Sequence, residues 1–337
     1  MMQPTDDPLR TLPPAARHAL IASAPPVWVE PMLATLTKER FSDPDWIFER
    51  KLDGERCLAF CSGKEVRLLS RNRKMLNNHY PEIATALSDQ AESDLVVDGE
   101  IVAFAGPQTD FSLLQRRMQV SDPTLARRSG IAVFYYVFDI VHLDGFDLTD
   151  LALRDRKRLL RTSMSFGGSL RLTPHRNTAG EAYFAHACRS GWEGVVAKLA
   201  DSKYVHRRSP HWLKFKCQQG QEFVIGGFTD PRRSRQGFGA LLLGYYRGDD
   251  FVYAGKVGTG FDDRTLRDLG RRLAALEVDK PAFTAGNPPR GARWVRPRLV
   301  GEVRFSEWTP DGRLRHPSFL GLREDKAPRN VVREIAQ

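Results

Sequence analysis

The chain has 337 residues, with 51 Lys and Arg against 41 Asp and Glu and a formal charge of +10. That length fits two domains, and 41% hydrophobic residues can build real cores without a disulfide framework or a metal staple. No stretch approaches the ~18 apolar residues of a membrane span. Asp6, Asp7 and the neighbouring prolines interrupt any signal-peptide layout, so a soluble, cytoplasmic protein is expected. The positive balance favours an anionic partner through attraction to a phosphate backbone, without naming one.

In chain order, residues 1–27 are rich in Pro, Ala and polar groups and read as a flexible leader. Globular patterning starts at Trp28. Short strands are expected at 48–51, 57–61 and 65–69, broken by turns at Asp53-Gly54 and Ser62-Gly63. The runs 95–104 and 131–140 are rich in Val, Ile and Phe and suit buried strands. A helix over 153–162 places charges on one side and leucines on the other. A second helix opens on a capping box of Thr178 and Glu181 and stops at Gly191.

Past residue 221 the texture changes. Strands are expected at 222–228, 239–246 and 251–257, then a helix at 264–276. Strands around 300–308 and 313–319 follow, turned at Asp311-Gly312. Five or so strands with one interposed helix suggest a small OB-type barrel. The four cysteines form no Cys-x-x-Cys pair, so zinc-ribbon spacing is absent. Cys57 and Cys61 on one strand would lie about 13 Å apart, too far for a disulfide. Free thiols are expected for these two and for Cys188 and Cys217.

The candidate chemistry starts at Lys51-Leu52-Asp53-Gly54-Glu55-Arg56. A lysine amine attacks phosphorus only when neutral, so its pKa must fall from about 10.4. A turn at Asp53-Gly54 would fold the Arg56 cation back to depress it, as would a bound metal; alone, the segment reads first as a surface hairpin with scattered charges. Glu100 ends an apolar run and Glu193 opens another, positions costly for a carboxylate unless it binds a cation or a hydroxyl. Together they could hold Mg²⁺ beside phosphate oxygens; singly, each fits a strand-edge ion pair. Lys214 and Lys216 alternate with Trp212, Leu213 and Phe215, which on a strand aims both ammonium groups one way. Phe138 could stack on a base or sit in a core, and Arg71 could meet phosphate or ribose or belong to a basic loop.

In order, these segments resemble the motif series of the covalent nucleotidyltransferases, the superfamily of ATP-dependent ligases and mRNA capping enzymes. Lys51 to Arg56 is similar to the Lys-x-Asp-Gly-x-Arg motif with the nucleotide-accepting lysine. Ser70-Arg71-Asn72, Asp98-Gly99-Glu100, Phe138-Asp139, Glu193 to Lys198 and Lys214-Phe215-Lys216 resemble its successors, and Arg323-Glu324-Asp325-Lys326 the last. The runs 48–54, 221–227 and 319–323 resemble the ligase component of bacterial end-joining LigD proteins.

The resemblance implies an α+β nucleotidyltransferase domain of the ATP-grasp-like ligase type over 28–219, built of antiparallel sheets and helices. An all-β OB-fold domain over 220–330 would follow, with a hinge near 217–220. It implies an ATP-dependent DNA ligase that adenylates itself on Lys51, passes AMP to a 5′-phosphate and joins it to a 3′-hydroxyl. Glu49 would read the adenine edge, Phe138 would stack on the ring, and Glu100 would meet ribose or metal. Arg71 and Arg208 would contact the nucleotide or later the 5′-phosphate, Lys214 and Lys216 the α-phosphate, and Glu193 a divalent cation, Mg²⁺ or Mn²⁺. Arg323 and Lys326 would lie over the pyrophosphate when the barrel closes. The implied partners are nicked or broken double-stranded DNA, a Ku-like end-binding protein, and separate polymerase and nuclease enzymes, since 337 residues leave no room for the modules usually fused to LigD. The ligase itself would act as a monomer in the bacterial cytoplasm.

Overall fold

The computed structural model describes residues 7–90, 93–217, 219–231 and 236–334. The chain divides at the Cys217–Gln218 bond into two compact units. Gln218, within the expected hinge, lies outside the described residues. Among the described residues no helix is long and apolar enough to cross a membrane.

The first unit contains two main sheets. The larger runs through Ile21–Ala22, Phe146–Asp147, Val133–Leu143, Leu95–Ala105, Glu55–Ser62 and Glu65–Ser70 as hydrogen-bonded neighbours. The smaller runs through His175–Asn177, Trp46–Lys51, Gly194–Leu199, Arg208–Lys216 and Leu33–Leu36. Because side chains alternate along a strand, each sheet sorts its residues into two faces. Cys57, Ala59, Cys61, Val97, Ile101 and Val137 of the larger sheet enter one core, joined by Ile83 of the helix Pro81–Ser88 and Leu114 of the helix Phe111–Met118. Leu58, Phe60, Val96 and Phe138 enter a second core with Trp212 of the smaller sheet, which seats the two sheets together. The far face of the smaller sheet buries Phe48, Val195, Ala197 and Phe215 against Tyr183 and Ala187 of the helix Gly180–Arg189.

Four sequence expectations are corrected here. The leader is folded from residue 7 onward, residues 1–6 lying outside the described residues: Pro8–Thr11 and Pro14–His18 are short helices, Ile21–Ala22 pairs with Phe146–Asp147, and Leu12 is in the core. Proline supplies the helix starts that its low hydrophobicity concealed. The capping box does not form. Thr178 takes a φ of 64°, and the amide of Glu181 instead donates to Ser42 Oγ, 139 residues away, at 3.2 Å. Cys188 and Cys217 form a disulfide with Cα atoms 5.3 Å apart, a pairing across 29 residues that no local spacing announces. Cys57 and Cys61 are free and buried.

The fourth correction concerns the helix Leu153–Ser163, whose charges do not all face water. Arg156 and Lys157 are buried beside Leu159 and Leu160. Arg156 Nε and Nη2 donate to Asp139 at 2.8 and 2.9 Å, and Nη1 donates to the carbonyls of Leu151 and Ser202. Both members of this pair are wholly buried, which is tolerable because the guanidinium's donors and the carboxylate's acceptors are matched.

In the second unit, Gln219–Phe228 is the central strand. Leu241–Arg247 and then Asp250–Val257 extend one side, and Val300–Phe305 followed by Ser318–Leu322 extends another, all antiparallel. The helix Asp263–Ala274, capped by Asp262, buries Leu266, Leu269 and Leu273 against this sheet core.

Arg156→Met would leave the Asp139 carboxylate buried and unpaired, so a loss of about 3–5 kcal/mol is expected for the first unit. Denaturant unfolding of the variant beside the parent checks it; a loss under about 1 kcal/mol would contradict the load assigned to this pair.

Candidate active site

The functional face of the smaller sheet follows from pairing register. Gly194 lies opposite both Lys51 and Lys216, Val196 opposite both Glu49 and Lys214, and Lys198 opposite both Ile47 and Trp212. Directly opposed residues share a face. Lys51, Lys216, Glu49, Lys214 and Lys198 therefore line one side while Phe48 and Phe215 take the other. The middle strand contributes glycine where the two lysines flank it. A Cβ on Gly194 would sit 1.9 Å from the Phe215 carbonyl oxygen. Gly54, in the turn after Lys51, is similarly constrained: its Cβ would lie 2.2 Å from the Ile101 carbonyl oxygen.

Lys51 Nζ donates to Glu193 Oε2 at 2.5 Å, both side chains being about one-fifth exposed, at 21% and 22%. Burial disfavours the ammonium, but the charge and hydrogen bond of Glu193, helped by Asp53 and Glu100, outweigh it and raise the lysine's pKa. This corrects the depression expected from Arg56. The cation expected to cause it, Arg56, is turned away: its Nε and Nη2 each lie 2.5 Å from the Asp98 carboxylate. Tyr204 Oη also donates to Asp98 at 2.7 Å while accepting from the Met32 amide, so the carboxylate that holds Arg56 is itself fixed. The diagonal Arg56–Asp98 contact arises because Leu58, two residues from Arg56, is the one opposite Asp98.

Glu49 is buried between two lysines. Lys198 Nζ lies 2.7 Å from Oε2, and Lys157 Nζ contacts Oε1. Burial pushes its pKa up, but the two ammonium groups win and hold it below the ordinary carboxylate value. Lys198 is lowered to about 8, burial outweighing the pull of Glu49. Phe138 is only 8% exposed, with the Lys198 ammonium 4.2 Å and the Arg56 guanidinium 4.6 Å from its ring centroid. Two cations thus face the Phe138 ring in the attractive cation–π arrangement.

The remaining sequence candidates are more dispersed. Glu100 is half-buried on Leu95–Ala105, opposite Arg56, and Arg71 follows the strand Glu65–Ser70. Arg208 is exposed at the start of its strand and donates to the Ala34 carbonyl. In the second unit, Arg323 is held by Glu302 at 2.6 Å and bidentately by Asp325, and Lys326 pairs with Glu222 at 2.8 Å. Sequence reasoning assigned no role to Lys157, Tyr204 or Arg156. Their signal was faint: a basic pair on a leucine-rich helix and one tyrosine in a loop.

Glu193, Glu100 and Asp53 all act on Lys51 and offer the oxygen donors that Mg²⁺ or Mn²⁺ takes. Among the described residues no group of three or more ligating side chains forms a ready cage.

Against known proteins, the model of the ATP dependent DNA ligase domain matches residues 31–216, and that of the ATP dependent DNA ligase C terminal region matches residues 234–326. The chain belongs to the ATP-dependent DNA ligases. It is 39% identical over 313 residues to the multifunctional non-homologous end joining DNA repair protein LigD of Mycobacterium tuberculosis, covering 90% of this chain and 40% of that protein. Identity to LigD of Pseudomonas aeruginosa is 36% over 318 residues, 92% of this chain and 37% of that one. The chain thus spans about two fifths of the length of these curated relatives. A solved mycobacterial DNA ligase D complexed with ATP and MES is 37% identical with a TM-score of 0.66, covering 91% of this chain and 98% of that one. The two units are accordingly the nucleotidyltransferase and OB-fold domains of an ATP-dependent ligase.

Glu193→Gln removes the main influences that raise Lys51, so the lysine's pKa should fall. Titrating the rate at which an amine-acylating reagent modifies Lys51, read by peptide mass, should give a midpoint lower by at least one pH unit, roughly the effect of one close charge. An unchanged or higher midpoint would contradict the assigned cause.

Proposed function

We propose that this protein seals breaks in double-stranded DNA at the expense of ATP, with Lys51 as the residue that carries AMP. The observation that carries the reading is the register-aligned face on which Lys51, ion-paired to Glu193, stands in line with Lys216 and beside Lys214. A nucleophile with cations set in rigid strands around it suits phosphoryl chemistry, where charge grows on phosphate oxygens in the transition state.

Lys51 Nζ, once deprotonated, forms a bond to the α-phosphorus of ATP while the bond to pyrophosphate breaks. Because Glu193 holds the lysine as an ammonium, that grip must loosen before attack. A divalent cation on Glu193 would cancel the carboxylate charge and shield the phosphates. Lys214 and Lys216 stabilise the charge developing at the α-phosphate, and Glu49 and Phe138 form the wall against which adenine rests, with Arg71, Glu100 and Arg208 around the sugar and phosphates. AMP then passes to a DNA 5′-phosphate, and the neighbouring 3′-hydroxyl displaces it to close the strand. Arg323 and Lys326 would assist only the nucleotide stage, after exchanging their present carboxylate partners for pyrophosphate. End joining is the setting that the LigD relatives' names support, and a Ku-like protein is the partner proposed within it.

A guanylyltransferase reading shares the lysine and the barrel, and is disfavoured by the ligase family match. The test is sealing of a labelled nicked duplex with ATP, GTP or NAD. ATP alone should support sealing. Lys51→Ala should lower sealing by at least about 10³-fold, the scale for removing a covalent nucleophile, while duplex binding in a mobility-shift assay stays within about twofold. Sealing that survives in Lys51→Ala, or that prefers GTP, would overturn the proposal.

A further inference from the structure

The helix Leu153–Ser163 places two consecutive basic residues on two consecutive residues of the strand Val133–Leu143. Arg156 grips the Asp139 carboxylate, and Lys157 Nζ donates to the Phe138 carbonyl at 3.0 Å. The same Lys157 ammonium pairs with the Glu49 carboxylate on the strand Trp46–Lys51. Phe138 belongs to the larger sheet and Glu49 to the smaller one, so a single buried nitrogen joins the two sheets at the very residues assigned to adenine. Lys157 is 6% exposed, and it is no member of the motif series that points to the site.

Lys157 is not needed simply to neutralise Glu49. Lys198 already pairs with that carboxylate at 2.7 Å. Two lysines on one carboxylate leave a surplus positive charge in a buried place, which costs desolvation free energy that a structural role alone would avoid by using an apolar residue. What the second lysine adds is geometry. One ammonium that hydrogen-bonds a main-chain carbonyl and ion-pairs with a carboxylate ties together the strands that bear them.

We propose that Lys157 is a positioning residue for the nucleotide, setting the separation of Glu49 and Phe138 and thereby the width of the adenine slot. The inference rests on the ATP-binding reading above. It concerns residues within the first unit only and requires no contact of Lys157 with substrate. It predicts that losing Lys157 weakens capture of ATP while leaving the chemistry at Lys51 intact, because Lys157 pairs with Glu49, whereas Lys51 lies opposite Gly194 and pairs with Glu193.

The experiment is formation of the AMP–enzyme adduct in the full chain as a function of ATP concentration, without DNA. Lys157→Met keeps the stem and removes both bonds. Half-saturating ATP should rise about tenfold while the adduct-forming rate at saturating ATP stays within about twofold, the pattern of lost binding without lost transition-state stabilisation. Thermal melting identifies whether the variant is folded. If Lys157→Met is not folded, Lys157→Gln, which keeps a donor for the Phe138 carbonyl, is read by the same criterion. In a folded variant, half-saturating ATP like that of the parent would overturn the proposal, and so would a collapse of the saturated rate. A parent protein that forms no adduct with ATP would instead remove the ATP reading itself, so the two failures are distinguishable.

Discussion

The arrangement on which everything else depends is the antiparallel register of Trp46–Lys51 and Arg208–Lys216 on either side of Gly194–Leu199. A strand's side chains have a period of two, so a slip of one residue in either pairing would turn every functional lysine into the aromatic core and every core aromatic into the site. Phe48, Val195 and Phe215 hold the register from behind by burying their side chains against the helix Gly180–Arg189. Gly194 completes it, since only a residue without Cβ lets the strand pass the Phe215 carbonyl at the point where Lys51 and Lys216 flank it.

Around that face the protein uses buried ion pairs as fixed geometry. The Arg56–Asp98–Tyr204 cluster, the Arg156–Asp139 fork and the Glu49 carboxylate between Lys157 and Lys198 all sit at the seam of the two sheets. Such pairs add little net stability, because desolvation offsets most of the Coulomb gain. The first two do remove alternatives, since their directional bonds are satisfied by only one arrangement. On the proposed reading, in which a nucleotide is held against Lys51, walls that cannot repack would serve the site. The Lys51–Glu193 pair is of another kind. It is partly exposed and bonded through one oxygen, so it can exchange partners when phosphate and cation arrive.

Much of this was legible in the sequence wherever local pattern and chemistry coincide. Lys51, Glu193, Lys214 and Lys216 stand out through the ordered motif series they resemble; singly, each also reads as a surface or strand-edge charge. The OB-type unit was visible from turn residues between short strands. What could not be read were contacts between distant segments. Arg56 sits close to Lys51 in sequence, so proximity suggested that it acts on the lysine, whereas the strand pairing delivers it to Asp98. The amide of Glu181 finds Ser42 rather than its local Thr178, and Cys188 finds Cys217. Arg156 and Lys157 looked like the wet side of a helix. Their burial follows only from Asp139, Phe138 and Glu49 being assembled by two different sheets.

The proposed role of Lys51, held by Glu193 on this aligned face, is to take the nucleotide. It is tested most directly by incubating the protein with ATP and a divalent cation, digesting it, and locating the adduct by tandem mass spectrometry under conditions that preserve an acid-labile phosphoramidate. The account predicts one AMP group, on the peptide containing Lys51 and bonded to that lysine. An AMP group on any other residue, or none at all under conditions in which the protein seals a nick, would contradict it.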